Sequence, residues 1–262
     1  MIYHNTMNYK NNSRNNSISI IIPVYNEEEI IEKVLYDIHN IIINNYNGTY
    51  EVIIINDGSN DLTGEILTHI KEKFQYIKVI ENKKNLGHGP SLLKGFKEAK
   101  NEFIFHIDGD NQFDIRDFWK LYEYISKKNI DIIFGYRYKR NDPLYRIVLS
   151  KIINIFILLF FGVYLKDSNV PFKIIRNKPL KKLLKIISEN TLAPSIFISI
   201  LSKKLNFKIK ELPIKHFRRK TGKISLPSTK LLKFCIKGFW ELIKFKFLLL
   251  RLKKNKKYKF QS

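Results

Sequence analysis

The feature that most constrains this chain is a pattern repeated through its first half: a short apolar run, a polar cluster, then a helical stretch. The runs are Ile18–Ile22, Val52–Ile55, Lys78–Ile80, Phe103–Ile107 and Asp131–Phe134. Between them, Glu27 to Ile43, Leu62–Phe74, Pro90–Ala99 and Ile115–Lys127 carry apolar residues at helical spacing. Strands that alternate with helices predict an α/β fold with a mostly parallel sheet. Ligands of such sheets sit beyond the carboxyl ends of the strands. The clusters PVYNE, NDGS and DGDNQ all fall there, so the pattern predicts a single site. Pro23 is expected to close the first strand, and NDGSND to cap the helix after the second.

In FHIDGDNQFD, Asp108 and Asp110 are two residues apart, so on an extended segment their carboxylates point the same way. Like charges that close repel and raise each other's proton affinity unless a cation neutralises them. Gly109 permits close backbone approach, and Gln112 adds a neutral oxygen two residues on. Such oxygens are hard ligands suited to Mg²⁺ or Mn²⁺, ions that also share substrate phosphates. Acid pairs of this kind are common in turns. The strand-end position is what gives this one weight.

Charge is unevenly placed. Residues 1–165 hold 20 Lys and Arg against 20 acids, whereas residues 166–262 hold 27 against four, which is the whole net charge of +23. The last third therefore faces something anionic, either a membrane surface or nucleic acid. A lysine-rich compositional bias also inflates such counts. The single cysteine, Cys235, leaves no intramolecular disulfide and favours a reducing, cytoplasmic setting. Residues 1–17 are polar and Asn-rich, and read as a disordered start and not a signal peptide.

After Arg146 the pattern changes. Ile152–Leu165 is apolar all round, and counted from Ile147 the stretch reaches 19 residues, interrupted by Ser150, Lys151 and Asn154. A membrane span needs roughly 20 mostly apolar residues, so a buried or interfacial helix is expected. Leu242–Leu252 mixes bulky apolar residues with lysines and an arginine and is followed by KKNKKYK. That suits a helix lying in the headgroup region with snorkelling basic side chains, or equally a packed terminal helix with a solvated tail. The division expected is a polar start (1–17), a main domain (18–225) and a basic amphipathic segment (226–262).

Taken in order and spacing, the clusters resemble the family-2 glycosyltransferases of GT-A fold, and within them the dolichol-phosphate mannose synthase branch. The resemblance covers about residues 17–225 and rests on IPVYNE, NDGSND, NLGHGPSLLKG, DGDNQ, GYR, ELPIKHF and RRKTG. It implies that Pro23, Tyr25 and Glu27 border the nucleotide base and that Asp57 reads it. It places Asp108 near ribose and metal, with Asp110 and Gln112 on a divalent ion bound to the donor diphosphate. On the acceptor side it implies that Arg137, Arg146 and Ser150 meet a lipid phosphate, with Asp167 orienting groups near the reaction centre. Arg219 resembles the arginine of a loop that closes over bound substrates. Departures are Asn56 and Gly109, where Asp and Ala are common, KIS after Gly222, and Val170-Pro171 where the branch has Ser-Gly.

The resemblance implies transfer of a hexose from a GDP- or UDP-sugar to a polyprenyl phosphate, with Mg²⁺ or Mn²⁺. The expected setting is the cytoplasmic face of a membrane, held peripherally on anionic lipid or with a membrane-protein partner. A lipid phosphate is already anionic, so it needs positioning by arginine and no general base. Alternatives are transfer to a saccharide hydroxyl and a noncatalytic basic binding protein. FKIKELPIKHFRRK could be read as a nucleic-acid surface, but no nucleic-acid partner is expected.

Overall fold

The computed structural model describes residues 16–219 and 228–255. Its seven strands are β1 (Ser17–Val24), β2 (Thr49–Asn56), β3 (Ile77–Glu81), β4 (Phe103–Ile107), β5 (Ile132–Arg137), β6 (Phe172–Arg176) and β7 (Ile209–Ile214). They form one sheet in the order β3-β2-β1-β4-β6-β5-β7. All neighbours are parallel except β6, which runs antiparallel to both β4 and β5. The helices are α1 (Ile31–Ile41), α2 (Thr63–Lys73), α3 (His88–Glu98), α4 (Asp117–Lys127), α5 (Leu144–Phe161), α6 (Asn177–Leu184), α7 (Pro194–Lys204) and α8 (Ser228–Lys254).

β1 sits near the centre with both faces covered, which is why its sequence reads as a continuous isoleucine run instead of an alternating one. Ile18, Ile20, Ile21 and Ile22 are wholly buried, each burial worth about 1.5–3 kcal/mol. Pro23 does not end the strand. It pairs in register with Ile55, and β1 runs on to Val24, whose carbonyl accepts the Asp57 amide at 2.8 Å. Proline is tolerated there because only one ladder bond near the strand's end is lost.

The five expected strands are present, and β6 and β7 join them. β6 hides in sequence because Lys173 interrupts its apolar run. β7 (IKELPI) carries Lys, Glu and Pro, as suits an edge strand paired only with β5. α8 packs back on the domain: Leu242, Phe245 and Leu249 are buried, and Phe245 meets Phe197 of α7 edge-on at 4.5 Å. α5 departs from the buried option, since only Ile157 and Phe161 along its length are buried. Residues 1–15, 220–227 and 256–262, which include most of the expected polar start and Gly222, lie outside the described residues.

Candidate active site

The carboxyl ends of β1, β2 and β4 meet at one edge of the sheet, and their loops are tied together. Asn26 adopts φ 54°, its amide donates to Ser59 Oγ (3.0 Å), and its Oδ1 accepts from the Asn60 amide (2.9 Å). The Glu27 amide donates to Thr63 Oγ1 at 2.9 Å, and Glu28 accepts from the Leu62 amide at 2.8 Å. α2 is thus capped by Glu28 and by Asp61, which accepts from the Thr63 amide at 3.1 Å. Pro23 is buried and Tyr25 half-buried where this loop begins.

Asp57 is buried and fully engaged. Oδ1 accepts from Asn82 Nδ2 and the Leu86 amide, both at 2.9 Å, and Oδ2 accepts from the Gly87 amide at 2.8 Å. Beside it Gly58 has φ +67°, and a Cβ there would fall 2.6 Å from the Lys84 carbonyl carbon. NDGS is therefore a clasp on the 82–88 loop. The carboxylate that the resemblance assigns to base recognition faces that loop.

The loop's last residue, His88, opens α3 and brings Nε2 to 3.0 Å from Asp108 Oδ1. His106 Nε2 lies 3.3 Å from the same oxygen. Burial pushes the Asp108 carboxyl up, but the two imidazoles outweigh it and hold the group well below its ordinary value. Asp110 goes the other way: burial, then the charge on Asp108, push it up to about 6. Its Oδ1 accepts the Gln112 amide at 3.1 Å, an arrangement that Asn111 permits by taking φ 56°. The Gln112 side chain donates to the Phe217 carbonyl at 3.2 Å.

These residues fit a divalent cation. Two carboxylates stand on one turn, and one keeps excess proton affinity because of burial and then its neighbour's charge, a demand that a cation answers. His88, His106 and Asp108 also bring one ligand atom each within 4.8 Å of one another.

Of the residues expected to meet the acceptor, Arg137 at the end of β5 grips Asp167 with both arms of its guanidinium, Nε–Oδ2 2.7 Å and Nη2–Oδ1 3.0 Å. Asp142 stands 3.5 Å from Nη1. β6 runs antiparallel to both β4 and β5, so Asp108 and Arg137 stand at the same end of the sheet. Arg146 and Ser150, four residues apart on one face of α5, are half-buried. Arg219 reaches across to the donor side, Nη2 lying 2.7 Å from each oxygen of Glu27 and Nη1 3.9 Å from Asp110. Burial pushes Glu27 up to about 7 against the pull of Arg219. Few acids neighbour these arginines in sequence, yet the fold supplies partners for Arg137 and Arg219.

Sequence reasoning missed His88, His106 and Lys173. Lys173 is wholly buried on β6, in register with His106, and donates to Ser195 Oγ at 2.7 Å. Burial pushes its ammonium down to about 7, against the pull of Asp108 and Asp167. His106 is likewise buried, its Nε2 facing Asp108 Oδ1, and burial pushes it down to about 4. The available signal was a titratable residue inside an apolar strand, FIFHI and FKIIR. A basic depression lined by Lys100, Arg176, Lys181 and Lys185 lies at the opposite end of the sheet, remote from this chemistry.

Such a sheet, with paired acids beyond β4 and an antiparallel strand at its side, has the GT-A architecture of nucleotide-sugar transferases. The chain belongs to glycosyl transferase family 2, whose family model matches residues 19–192. It is 29% identical over 211 residues to an undecaprenyl-phosphate 4-deoxy-4-formamido-L-arabinose transferase of Pectobacterium atrosepticum, covering 79% of this chain and 61% of that protein. It is 26% identical over 209 residues to a dolichyl-phosphate beta-glucosyltransferase of Trichomonas vaginalis, covering 75% and 64%. The chain thus spans about three-fifths of the length of the first curated relatives it matches. Its fold is that of the Mycobacterium tuberculosis glucosyl-3-phosphoglycerate synthase solved with Mn²⁺, UDP and glucosyl-3-phosphoglycerate. That likeness has TM-score 0.66 and 14% identity, covering 88% of this chain and 80% of that one.

Proposed function

We propose that this chain is an inverting glycosyltransferase that moves a hexose from a GDP- or UDP-sugar to a polyprenyl phosphate at the cytoplasmic face of a membrane. The observation that carries the reading is the acid pair Asp108 and Asp110 at the end of β4, with Arg219 3.9 Å from Asp110 and Arg137 at the end of β5. The names of the two curated relatives support the acceptor class.

Asp108, Asp110 and Gln112 would hold Mg²⁺ or Mn²⁺, which when bound neutralises charge on the donor diphosphate. Pro23, Tyr25 and Glu27 border the base, while Asp57 holds the loop that presents His88 beside Asp108. Arg137, kept in one orientation by Asp167, and Arg146 with Ser150 draw the acceptor phosphate into line behind the anomeric carbon. An oxygen of that phosphate forms the new bond to carbon as the bond to the diphosphate oxygen breaks. The nucleophile is already ionised, so no side chain has to remove a proton. Arg219 turns from Glu27 toward the developing charge.

The test is incubation with labelled UDP- and GDP-sugars, polyprenyl phosphate and Mn²⁺ or Mg²⁺, followed by organic extraction. Lipid-soluble label that vanishes with chelator and in Asp110→Ala supports the reading. Label confined to a water-soluble saccharide overturns it.

A further inference from the structure

Three ligand-type atoms converge beside the paired acids. His88 Nε2 and His106 Nε2 face the same oxygen, Asp108 Oδ1, at 3.0 and 3.3 Å. All three atoms lie within 4.8 Å of one another, and Asp110 is not one of the group.

The backbone holds each of these side chains in place. Asp57 accepts the amides of Leu86 and Gly87, just before His88. Just after it, a Cβ on Gly89 would fall 2.0 Å from the Thr191 carbonyl oxygen, so α3 begins flush against that segment. The chain is thus pinned on both sides of His88. His106 is fixed within β4, between Ile21 of β1 and Lys173 of β6 in register, and its ring meets Phe96 edge-on at 5.7 Å. Lys173 sends its ammonium to Ser195 Oγ at 2.7 Å. The His106 side chain is wholly buried and that of His88 is 47% exposed, so the group is closed on one side and open on the other. Ligands carried by a strand and a pinned helix start are held more precisely than ligands on a free loop.

The donor set decides which ion suits. Two imidazole nitrogens and a carboxylate oxygen are ligands of zinc and of its neighbours cobalt and nickel, whereas Mg²⁺ takes oxygen. Around zinc, bonds of about 2.0–2.2 Å at tetrahedral angles set ligand atoms roughly 3.3–3.6 Å apart. The two distances to Asp108 are close to that spacing, so small side-chain rotations admit an ion. Three protein ligands leave a fourth position for water or for an oxygen of a bound anion.

We infer that His88, His106 and Asp108 form a three-ligand seat for a divalent ion of the zinc class, separate from the Mg²⁺ or Mn²⁺ set of Asp108, Asp110 and Gln112 and sharing Asp108 with it. The seat rests on the proposed donor site only through that shared carboxylate.

The test is titration of the chelator-treated full chain with Co²⁺, as a spectroscopic probe, and with Zn²⁺ by calorimetry. Co²⁺ is expected to give the strong visible absorption of a four-coordinate ion, abolished by stoichiometric Zn²⁺ and not by excess Mg²⁺. His88 is exposed, so His88→Ala keeps the fold, which circular dichroism checks, and it lowers zinc affinity tenfold or more. Asp110→Ala leaves zinc affinity as it was. The weak absorption of six-coordinate Co²⁺, equal zinc affinity in His88→Ala, or zinc binding lost in Asp110→Ala overturns the seat. Zinc bound as described by a chain whose Mn²⁺ affinity ignores Asp110→Ala supports the seat and refutes the proposed Mg²⁺ or Mn²⁺ set.

Discussion

Arg219 Nη2 lies 2.7 Å from both oxygens of Glu27, two groups 192 residues apart in the chain. The pair joins the segment after β7 to the loop after β1. Arg219→Ala is expected to lower transfer roughly tenfold to a hundredfold, the scale of a charge-assisted hydrogen bond lost in the transition state. Arg219→Lys should restore little, because an ammonium cannot reproduce the fork. Equal rates for wild type and both variants would place this arginine outside the reaction.

Glu27 makes the same pair sensitive to pH. Its folded-state value, about 7, stands above the ordinary 4.5 of the unfolded chain. Between those values the folded state holds more protons, so this contribution to stability is full below about 4.5 and is lost as pH rises through 7. Thermal melting of Glu27→Gln should therefore show a flatter decline than wild type from pH 5 to 7. Parallel curves would contradict the placement of this carboxyl.

Lys173 reverses the sign. Its folded-state value of about 7 lies below the ordinary 10.5, so between them the unfolded state binds more protons and stability rises with pH. Lys173→Met keeps the volume and removes the buried charge. Relative to this variant, wild type is expected to gain stability from pH 7 to 9, with the variant at least as stable at the lower end. A constant difference across that range would refute the prediction.

Asp57→Ala strips three donors of their acceptor, the buried Asn82 Nδ2 and the part-buried amides of Leu86 and Gly87. A destabilisation of about 2–4 kcal/mol is expected, read by denaturant unfolding. If the residue serves only to read a base, stability stays unchanged and donor KM alone rises.

The fold was legible in the first 135 residues because a strand buried on both faces must be apolar and the turns between strands must be polar. Asp108 and Asp110 stood out because two acids at a strand end have few other uses. His88 was not legible, and His106 and Lys173 showed only as titratable residues inside apolar runs. Whether a histidine inside an apolar run meets a carboxylate depends on α3 and β4 converging, and no local pattern encodes that. The carboxylate partners of Arg137 and Arg219 escaped for the same reason, Asp167 being 30 residues and Glu27 192 residues away. The packing of α8 on the domain was left open because its periodicity serves a lipid surface and a protein surface alike.

Asp110 would link the proposed metal to acidity. Its value of about 6, raised by burial and by Asp108, means that protons compete with a cation below that pH. Mn²⁺ affinity, followed by calorimetry, is expected to fall as pH drops through about 6 and to be lost in Asp110→Ala. Undiminished binding in that variant would remove Asp110 from the ligand set.

The most direct measurement is the structure of the product. Purified chain, donor, divalent cation and polyprenyl phosphate should yield one hexose joined to the lipid through a phosphodiester, its anomeric configuration inverted relative to the donor by proton NMR. A hexose joined to a saccharide hydroxyl, or a lipid product of retained configuration, would contradict the proposed reaction.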